Sequence, residues 1–252
     1  MIYYFSGCGN SRYVAETLAH GTGDRFVDIR HSAAADPLTL HDDEALGFVC
    51  PVYAWEVPRV MVEFIEHLPL TRQPTYTYLA CTCGDNTGRT MRHFAEVMRR
   101  KGSKLNAGFA FIMPETYINM RGFNLDTPEQ AQRKIDATTA LLPGVVEDIK
   151  ARREVFRDTP GRFAWFKSRV MNPLFYAWLI TDTKFWVDDS CIACGTCGQV
   201  CPLDNIELVG GRPRWHGDCT NCMACYHHCP KNAINFGKAT LGKGQYHFGR
   251  QT

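Results

Sequence analysis

The chain has 252 residues, 45% of them hydrophobic, and 28 Lys and Arg against 26 Asp and Glu. That length can bury one large core or one medium and one small core. The near-balance of charge leaves no basic footprint for nucleic acid. No apolar run approaches the eighteen or so residues of a membrane span, the longest being Pro173 to Ile180. The start has no basic leader, long apolar core or small-residue cleavage site, so the expectation is a soluble, cytoplasmic protein without an integral membrane segment.

In chain order, a strand is expected at Ile2 to Phe5, a helix at Asn10 to His20, and strands at Arg25 to Ile29 and Ala45 to Cys50. A helix at Pro58 to Leu68, a strand at Thr75 to Cys81, a helix at Thr87 to Arg100, a strand at Leu105 to Met113 and a helix at Pro128 to Leu142 follow. Strands alternating with helices argue a parallel, doubly wound α/β sheet, here of five strands. Ligands of such sheets bind beyond the carboxyl ends of the strands.

Three segments fall at that edge. The run Ser6-Gly7-Cys8-Gly9-Asn10-Ser11 joins the first strand to the first helix. Its hydroxyls, glycine-permitted turns and free amides suit a phosphate at a positive helix end. It has neither the Lys of a triphosphate-binding loop nor G-x-G-x-x-G spacing. "PVYAWEVPRVM" follows the third strand and brings Tyr53 and Trp55 to a strand end, where packing against a neighbouring domain is the alternative reading. "CTCGDNTGRT" follows the fourth as a polar loop. A phosphate cradle, aromatic walls and a polar loop around a planar hole describe a site for flavin mononucleotide (FMN).

Residues 151–187 combine aromatics with seven Lys or Arg against three acids. A basic, aromatic, amphipathic helix can lie on a membrane surface. Aromatics at helical spacing are more often buried, and the expectation is a helical linker packed between two domains.

The 12 cysteines are unevenly placed: Cys8, Cys50, Cys81 and Cys83 lie early, and the other eight crowd between Cys191 and Cys229. Such crowding without a secretion signal points to metal. "CIACGTCGQVCP" and "CTNCMACYHHCP" each read C-x2-C-x2-C-x3-C-P, the run of two-cluster 4Fe-4S proteins in which the fourth cysteine serves the other cluster. Cys191, Cys194, Cys197 and Cys229 are therefore assigned to one cluster, and Cys201, Cys219, Cys222 and Cys225 to the other. A pair of zinc sites is the alternative, although these usually join two separated C-x2-C pairs. The blocks also form a repeat that extends through "CPLDNI" and "CPKNAI". His227 and His228, inside the second block, are read as surface or supporting residues.

On these motifs the first 150 residues resemble a flavodoxin, and residues 188–236 resemble a small α+β ferredoxin with two [4Fe-4S] clusters. The whole chain is similar to the flavodoxin-ferredoxin fusion proteins of anaerobic bacteria and archaea, with residues 237–252 as a tail. Cys8 stands where the flavodoxin phosphate loop usually has threonine. The resemblance implies that Ser6, Gly7, Cys8, Gly9, Asn10 and Ser11 bind the phosphate. It places Tyr53, Ala54 and Trp55 in one flavin-flanking loop, and Thr82, Cys83, Gly84 and Asp85 in the other. The second loop has no aromatic, so the outer flavin face is open or covered by "PETYINMRGFN" through Tyr117, or by the linker. Cys83 is read as a small loop residue, with a redox thiol as the alternative.

The implied function is electron transfer between FMN and the clusters, to or from a redox partner protein. The alternative is an FMN-dependent reductase of a small substrate such as a quinone or nitro compound. A redox sensor with oxygen-labile clusters is a third reading.

Overall fold

A computed structural model describes residues 1–31 and 44–249. The first part is a sheet of six parallel strands: β1 (Ile2–Tyr4), β2 (Phe26–Asp28), β3 (Ala45–Pro51), β4 (Tyr76–Cys83), β5 (Ala107–Ile112) and β6 (Phe156–Arg157). Their order is β2-β1-β3-β4-β5-β6. The first five follow the flavodoxin arrangement, whose switch point lies between β1 and β3.

Side-chain alternation sends β3 and β4 to two cores. Leu46, Phe48, Cys50, Leu79 and Cys81 pack under α2 (Arg59–His67) and α3 (Thr90–Arg100) with Phe64, Phe94 and Met98. Ala45, Val49, Tyr76, Tyr78 and Ala80 pack under α1 (Asn10–Thr22) and α4 (Pro128–Lys150) with Val14, Leu18, Leu142 and Val145. Each fully buried Leu, Val or Phe contributes roughly 1.5–3 kcal/mol, which fixes the sheet as the frame for the loops at its edge.

The sequence reading needs two corrections here. The sheet has six strands rather than five, since Gly108↔Phe156 and Phe109↔Arg157 pair in parallel. Asp148, 3% exposed, holds that sixth strand through ion pairs to Arg153 and Arg157. The helix expected to stop at Leu142 instead runs to Lys150, through Pro143. Leu142, Val145, Val146 and Ile149 keep the helical spacing and bury on the sheet, which outweighs one missing backbone hydrogen bond.

Residues 151–187 divide among three roles. The beginning supplies β6, and the end supplies β7 (Phe185–Val187), which pairs with β10 (Ile234–Phe236). Between them lie α5 (Ala164–Phe166), a π-helical turn (Lys167–Met171) and α6 (Asn172–Trp178). The expected burial of aromatics holds for Phe175 and Phe185, and Tyr176 is half-buried. It fails for Phe163, Trp165, Phe166, Trp178 and Trp186, all exposed. The buried side of α6 is narrow, because one flank rests on the sheet-edge loops and the other meets nothing among the described residues.

The C-terminal part is built on the repeat. Helices α7 (Thr196–Gln199) and α8 (Ala224–His227) occupy equivalent places in the two blocks, and β8 (Ile206–Val209) pairs with β9 (Arg212–Trp215). The backbone repeats as well. Ala193, Gly195 and Asp204 have φ of 55°, 78° and 49°, and their counterparts Asn221, Met223 and Asn232 have 51°, 60° and 51°. Left-handed residues at matched points turn each block through the same bends. Phe185 stacks on Trp215 with centroids 5.1 Å apart and meets Phe236 edge-on, forming the small core.

The linker is one of several connections between the two parts. Ile118, wholly buried, and Leu125 enter the C-terminal core from the segment after β5. Lys243 Nζ donates to the Ile118 and Met120 carbonyls at 3.0 Å, and His227 lies between the Thr116 carbonyl and the Tyr246 amide. Since Nδ1 accepts from that amide, Nε2 carries the proton that goes to Thr116. Residues 237–249, expected as a tail, lie back on the first part. Phe248 N donates to Cys8 O at 2.8 Å, and the Tyr246 hydroxyl donates to Asn10 Oδ1 at 2.8 Å. Residues 250–252 of the expected tail lie outside the described residues.

Candidate functional site

One cavity of about 360 Å³ opens at the carboxyl edge of the sheet. Ser6, Gly7, Cys8, Asn10, Ser11, Tyr53, Ala54, Trp55, Thr82, Cys83, Gly84 and Asp85 all line it. Of the residues that the sequence placed at a flavin, Gly9 alone does not.

The opening loop leaves β1 and turns into α1 at Gly9, whose φ of 94° suits glycine. Ser6 Oγ accepts from the Gly9 amide at 3.1 Å, and a hydroxyl that accepts still has its own proton to donate. No side chain caps α1 and no acid lies in its first turn, so its positive end faces the cavity uncompensated. Ser11 Oγ and Thr82 Oγ1, 2.8 Å apart, tie this loop to the end of β4. Asn10 is engaged elsewhere: its amide donates to Pro114 O at 2.9 Å and its oxygen accepts from Tyr246. It shapes the wall rather than reaching a ligand. Gly9 carries a further constraint, because a β-carbon there would lie 2.8 Å from Phe248 Cβ.

The second loop is a tight hairpin turn. Tyr53 and Glu56 exchange backbone hydrogen bonds at 3.1 Å, and both residues between them, Ala54 and Trp55, have positive φ (46° and 64°). Two non-glycine residues in that region are strained, and strain of this kind concentrates at ligand loops. Surroundings hold the turn in place. Gly88 has no room for a β-carbon against Trp55, Ser168 Oγ donates to Trp55 O at 3.0 Å, and Phe175 meets the indole edge-on. Trp55 thus both packs on the linker and walls the cavity.

On the β4 side, Cys83 is buried and burial pushes its thiol up to about 12, so it is neutral at ordinary pH. That environment suits a small wall residue rather than a reactive thiolate. The outer side is covered twice. Glu115, Tyr117 and Phe123 line it from the segment after β5, and Lys167, Phe175 and Ile180 from the linker. The Tyr117 hydroxyl is shut off from water with no partner among the described residues, and burial pushes it up to about 12. It is therefore a neutral donor left for an occupant. The sequence names both Tyr117 and the linker as covers of this side; which linker residues serve, Lys167, Phe175 and Ile180, is set by how the linker folds.

Thr220, Asn221 and Cys222, from the second cysteine block, line this same cavity. Cys8 Sγ donates to the Cys222 carbonyl at 3.4 Å. A β-carbon on Gly7 would lie 2.9 Å from Cys222 Cβ and 3.0 Å from its carbonyl. Only glycine lets the two loops approach this closely.

The eight block cysteines separate into two groups. Cys191, Cys194, Cys197 and Cys229 surround one small cavity, which brings the last cysteine of the second block to the first three of the first. Cys225 is buried, which pushes its thiol well up, and Cys222, Cys219 and Cys201 act on it before Cys197 of the other group does. Burial pushes the Cys219 and Cys222 thiols up to about 12, an environment in which a metal cation would favour the thiolate form. The turn after each fourth cysteine gives its sulfur an amide donor at 3.3 Å, Asn205 N to Cys201 and Ala233 N to Cys229. Such hydrogen bonds tune Fe-S clusters. Among the described residues, no three Cys, His, Asp or Glu side chains converge on a point suited to a single ion.

A doubly wound domain of flavodoxin strand order, joined to eight cysteines in two sets of four, defines a two-domain redox protein. Residues 190–234 match the 4Fe-4S dicluster domain family, which makes the C-terminal part an iron-sulfur domain. No curated protein matches the chain. Among solved structures, the Trp repressor binding protein of Bacillus subtilis aligns at 15% identity over 57% of this chain and 96% of its own, with a TM-score of 0.38. A flavodoxin from the domain Archaea aligns at 16% identity over 59% of this chain and 96% of its own, with a TM-score of 0.36. Those superpositions are too loose to add to the strand order itself.

Proposed function

We propose that the protein transfers electrons within one chain, between an FMN in the sheet-edge cavity and two [4Fe-4S] clusters, and exchanges them with a partner redox protein. The observation that carries this reading is the shared wall: the Cys222 loop lines the cavity that the opening loop and aromatic turn enclose. Bound there, FMN supplies one- and two-electron exchange and the clusters supply one-electron steps.

The chain's own residues do the rest. The α1 end and the Ser6 hydroxyl hold the phosphate, while Tyr53, Trp55 and Tyr117 bound the ring site and exclude water. Gly7 and Cys8 keep the Cys222 loop against the cavity. Cys191, Cys194, Cys197 and Cys229 ligate one cluster, and Cys201, Cys219, Cys222 and Cys225 the other.

The test is an anaerobic preparation analysed for iron, acid-labile sulfide and flavin, followed by photoreduction of the flavin. Two clusters and one FMN per chain, with cluster reduction at a rate independent of protein concentration, are expected. Zinc without sulfide, or a rate proportional to concentration, overturns the reading.

A second reading, an FMN-dependent reductase of a small quinone or nitro compound, is favoured by two donors at the outer side of the cavity. These are Lys167, whose Nζ lies 3.4 Å from Asn86 Oδ1, and the unpartnered Tyr117 hydroxyl. Steady-state turnover of such a compound, lost in Lys167→Met and Tyr117→Phe with flavin content unchanged, distinguishes it from the carrier.

A further inference from the structure

The segment from Phe163 to Trp178 presents an apolar stripe to water. Phe163 is 71% exposed, Phe166 49%, Val170 36%, Leu174 39% and Trp178 73%. Their spacing in steps of three and four sets them along one side of the helical segment, while Ser168 and Phe175 on the other side are buried. Trp165, also exposed, extends the patch. A helix ordinarily turns such a stripe inward, and a contiguous exposed patch of this kind marks a contact surface.

Charge says what the surface meets. From residue 159 to residue 181 the chain has no Asp or Glu but has Arg162, Lys167 and Arg169. Lys167 turns towards the cavity, whereas Arg162 is exposed beside Phe163 and Arg169 is half-exposed and ion-paired with Glu96 at 3.4 Å. Phe and Trp flanked by Arg, with no acid in the segment itself, is the composition of helices that lie in a lipid headgroup layer. A protein partner offering an apolar groove would not require the absence of acids, but an anionic bilayer repels them. No helix among the described residues is long and apolar enough to cross a membrane, so the contact is peripheral.

We infer that residues 163–178 dock the protein flat on an anionic lipid surface. The opposite side of the same segment supplies Lys167 and Phe175 to the cavity. Docking thus brings the outer side of the cavity next to the headgroups. The inference concerns lipid binding alone and does not depend on what the cavity holds.

The test is flotation of the anaerobically purified full-length protein with phosphatidylcholine vesicles, with and without phosphatidylglycerol, while tryptophan emission is recorded. The expected result is flotation with the anionic vesicles and a blue shift, both weakened by added salt. Phe166→Ser with Trp178→Ser should lower partitioning about tenfold or more. Arg162→Gln with Arg169→Gln should reduce binding to anionic vesicles selectively. Unchanged circular dichroism and iron content show that each variant is folded, and both residues replaced in each pair lie outside the cavity. Three results overturn the inference: wild-type protein that floats with neither vesicle, folded variants that bind as wild type does, and a dimer in solution that the Phe166→Ser, Trp178→Ser pair dissolves. The last would make the stripe a contact between copies of the chain.

Discussion

The Cys8 thiol donates to the Cys222 carbonyl at 3.4 Å, joining loops 214 residues apart in the chain. One belongs to the turn that opens α1 and the other to the second cysteine block, so a change in either is felt by both. The neighbouring Gly7 makes the contact sterically possible.

Gly7→Val tests that contact. A β-carbon would meet Cys222 Cβ at 2.9 Å, and overpacking of this kind costs about 1–3 kcal/mol. The expected outcome is a lower thermal midpoint and slower reduction of the clusters from photoreduced flavin, with iron content unchanged. An unaltered intrachain rate would show that the path avoids this loop.

Exchange of the fourth ligands is tested by single substitutions. Cys201→Ala should damage the cluster held by Cys219, Cys222 and Cys225, and Cys229→Ala the one held by Cys191, Cys194 and Cys197. Electron paramagnetic resonance of each reduced variant should retain a different signal. If Cys201→Ala instead removed the same signal as Cys191→Ala, the pairing would be wrong.

Cys83 gives the pH dependence a definite sign. Its ordinary value near 9 is pushed up to about 12 by burial, so between these limits the folded protein holds a proton that the unfolded chain loses. Stability therefore falls as pH rises through that window, by up to about 1.4 kcal/mol per pH unit for this thiol. Urea titrations at pH 8, 9.5 and 10.5 should show a shallower decline in Cys83→Ala than in the unmodified protein. Parallel declines would place the alkaline sensitivity elsewhere.

Preference for FMN over riboflavin checks the cradle. Ser6→Ala removes a donor at the α1 end, and a hydrogen bond to a charged group contributes about 1.5–3 kcal/mol. FMN affinity should fall by about tenfold or more while riboflavin affinity stays constant, as measured by flavin fluorescence quenching. Equal loss for both flavins would assign Ser6 to the ring rather than the phosphate.

The elements legible in the sequence were those with a strong period. Leu46, Phe48 and Cys50 alternate, Val14 and Leu18 recur at helical spacing, and the cysteine blocks state their own geometry. Phe156–Arg157 is too short to show any period, and its pairing depends on Asp148, which sits on another element. The helix expected to end at Leu142 continues through Pro143 because Val145 and Val146 bury on the sheet. The aromatic linker has a helical period, but only Phe175 and Phe185 of its aromatics are buried, since hydropathy alone does not say which apolar side chains find a neighbour. Tyr246 and Phe248 lie among glycines with no pattern, and nothing local connects them to Asn10 and Cys8.

That last connection gives assembly an order in time. Asn10 leaves the ribosome well before the Tyr246 hydroxyl that fixes its side chain, which comes 236 positions later. The sheet can form early, because N-terminal domains fold while synthesis continues. Its opening loop stays unbraced until the iron-sulfur region has been made and has brought Phe248 back onto Tyr13, with rings 4.3 Å apart. Until that region has folded, the opening loop has neither its Tyr246 nor its Phe248 contact.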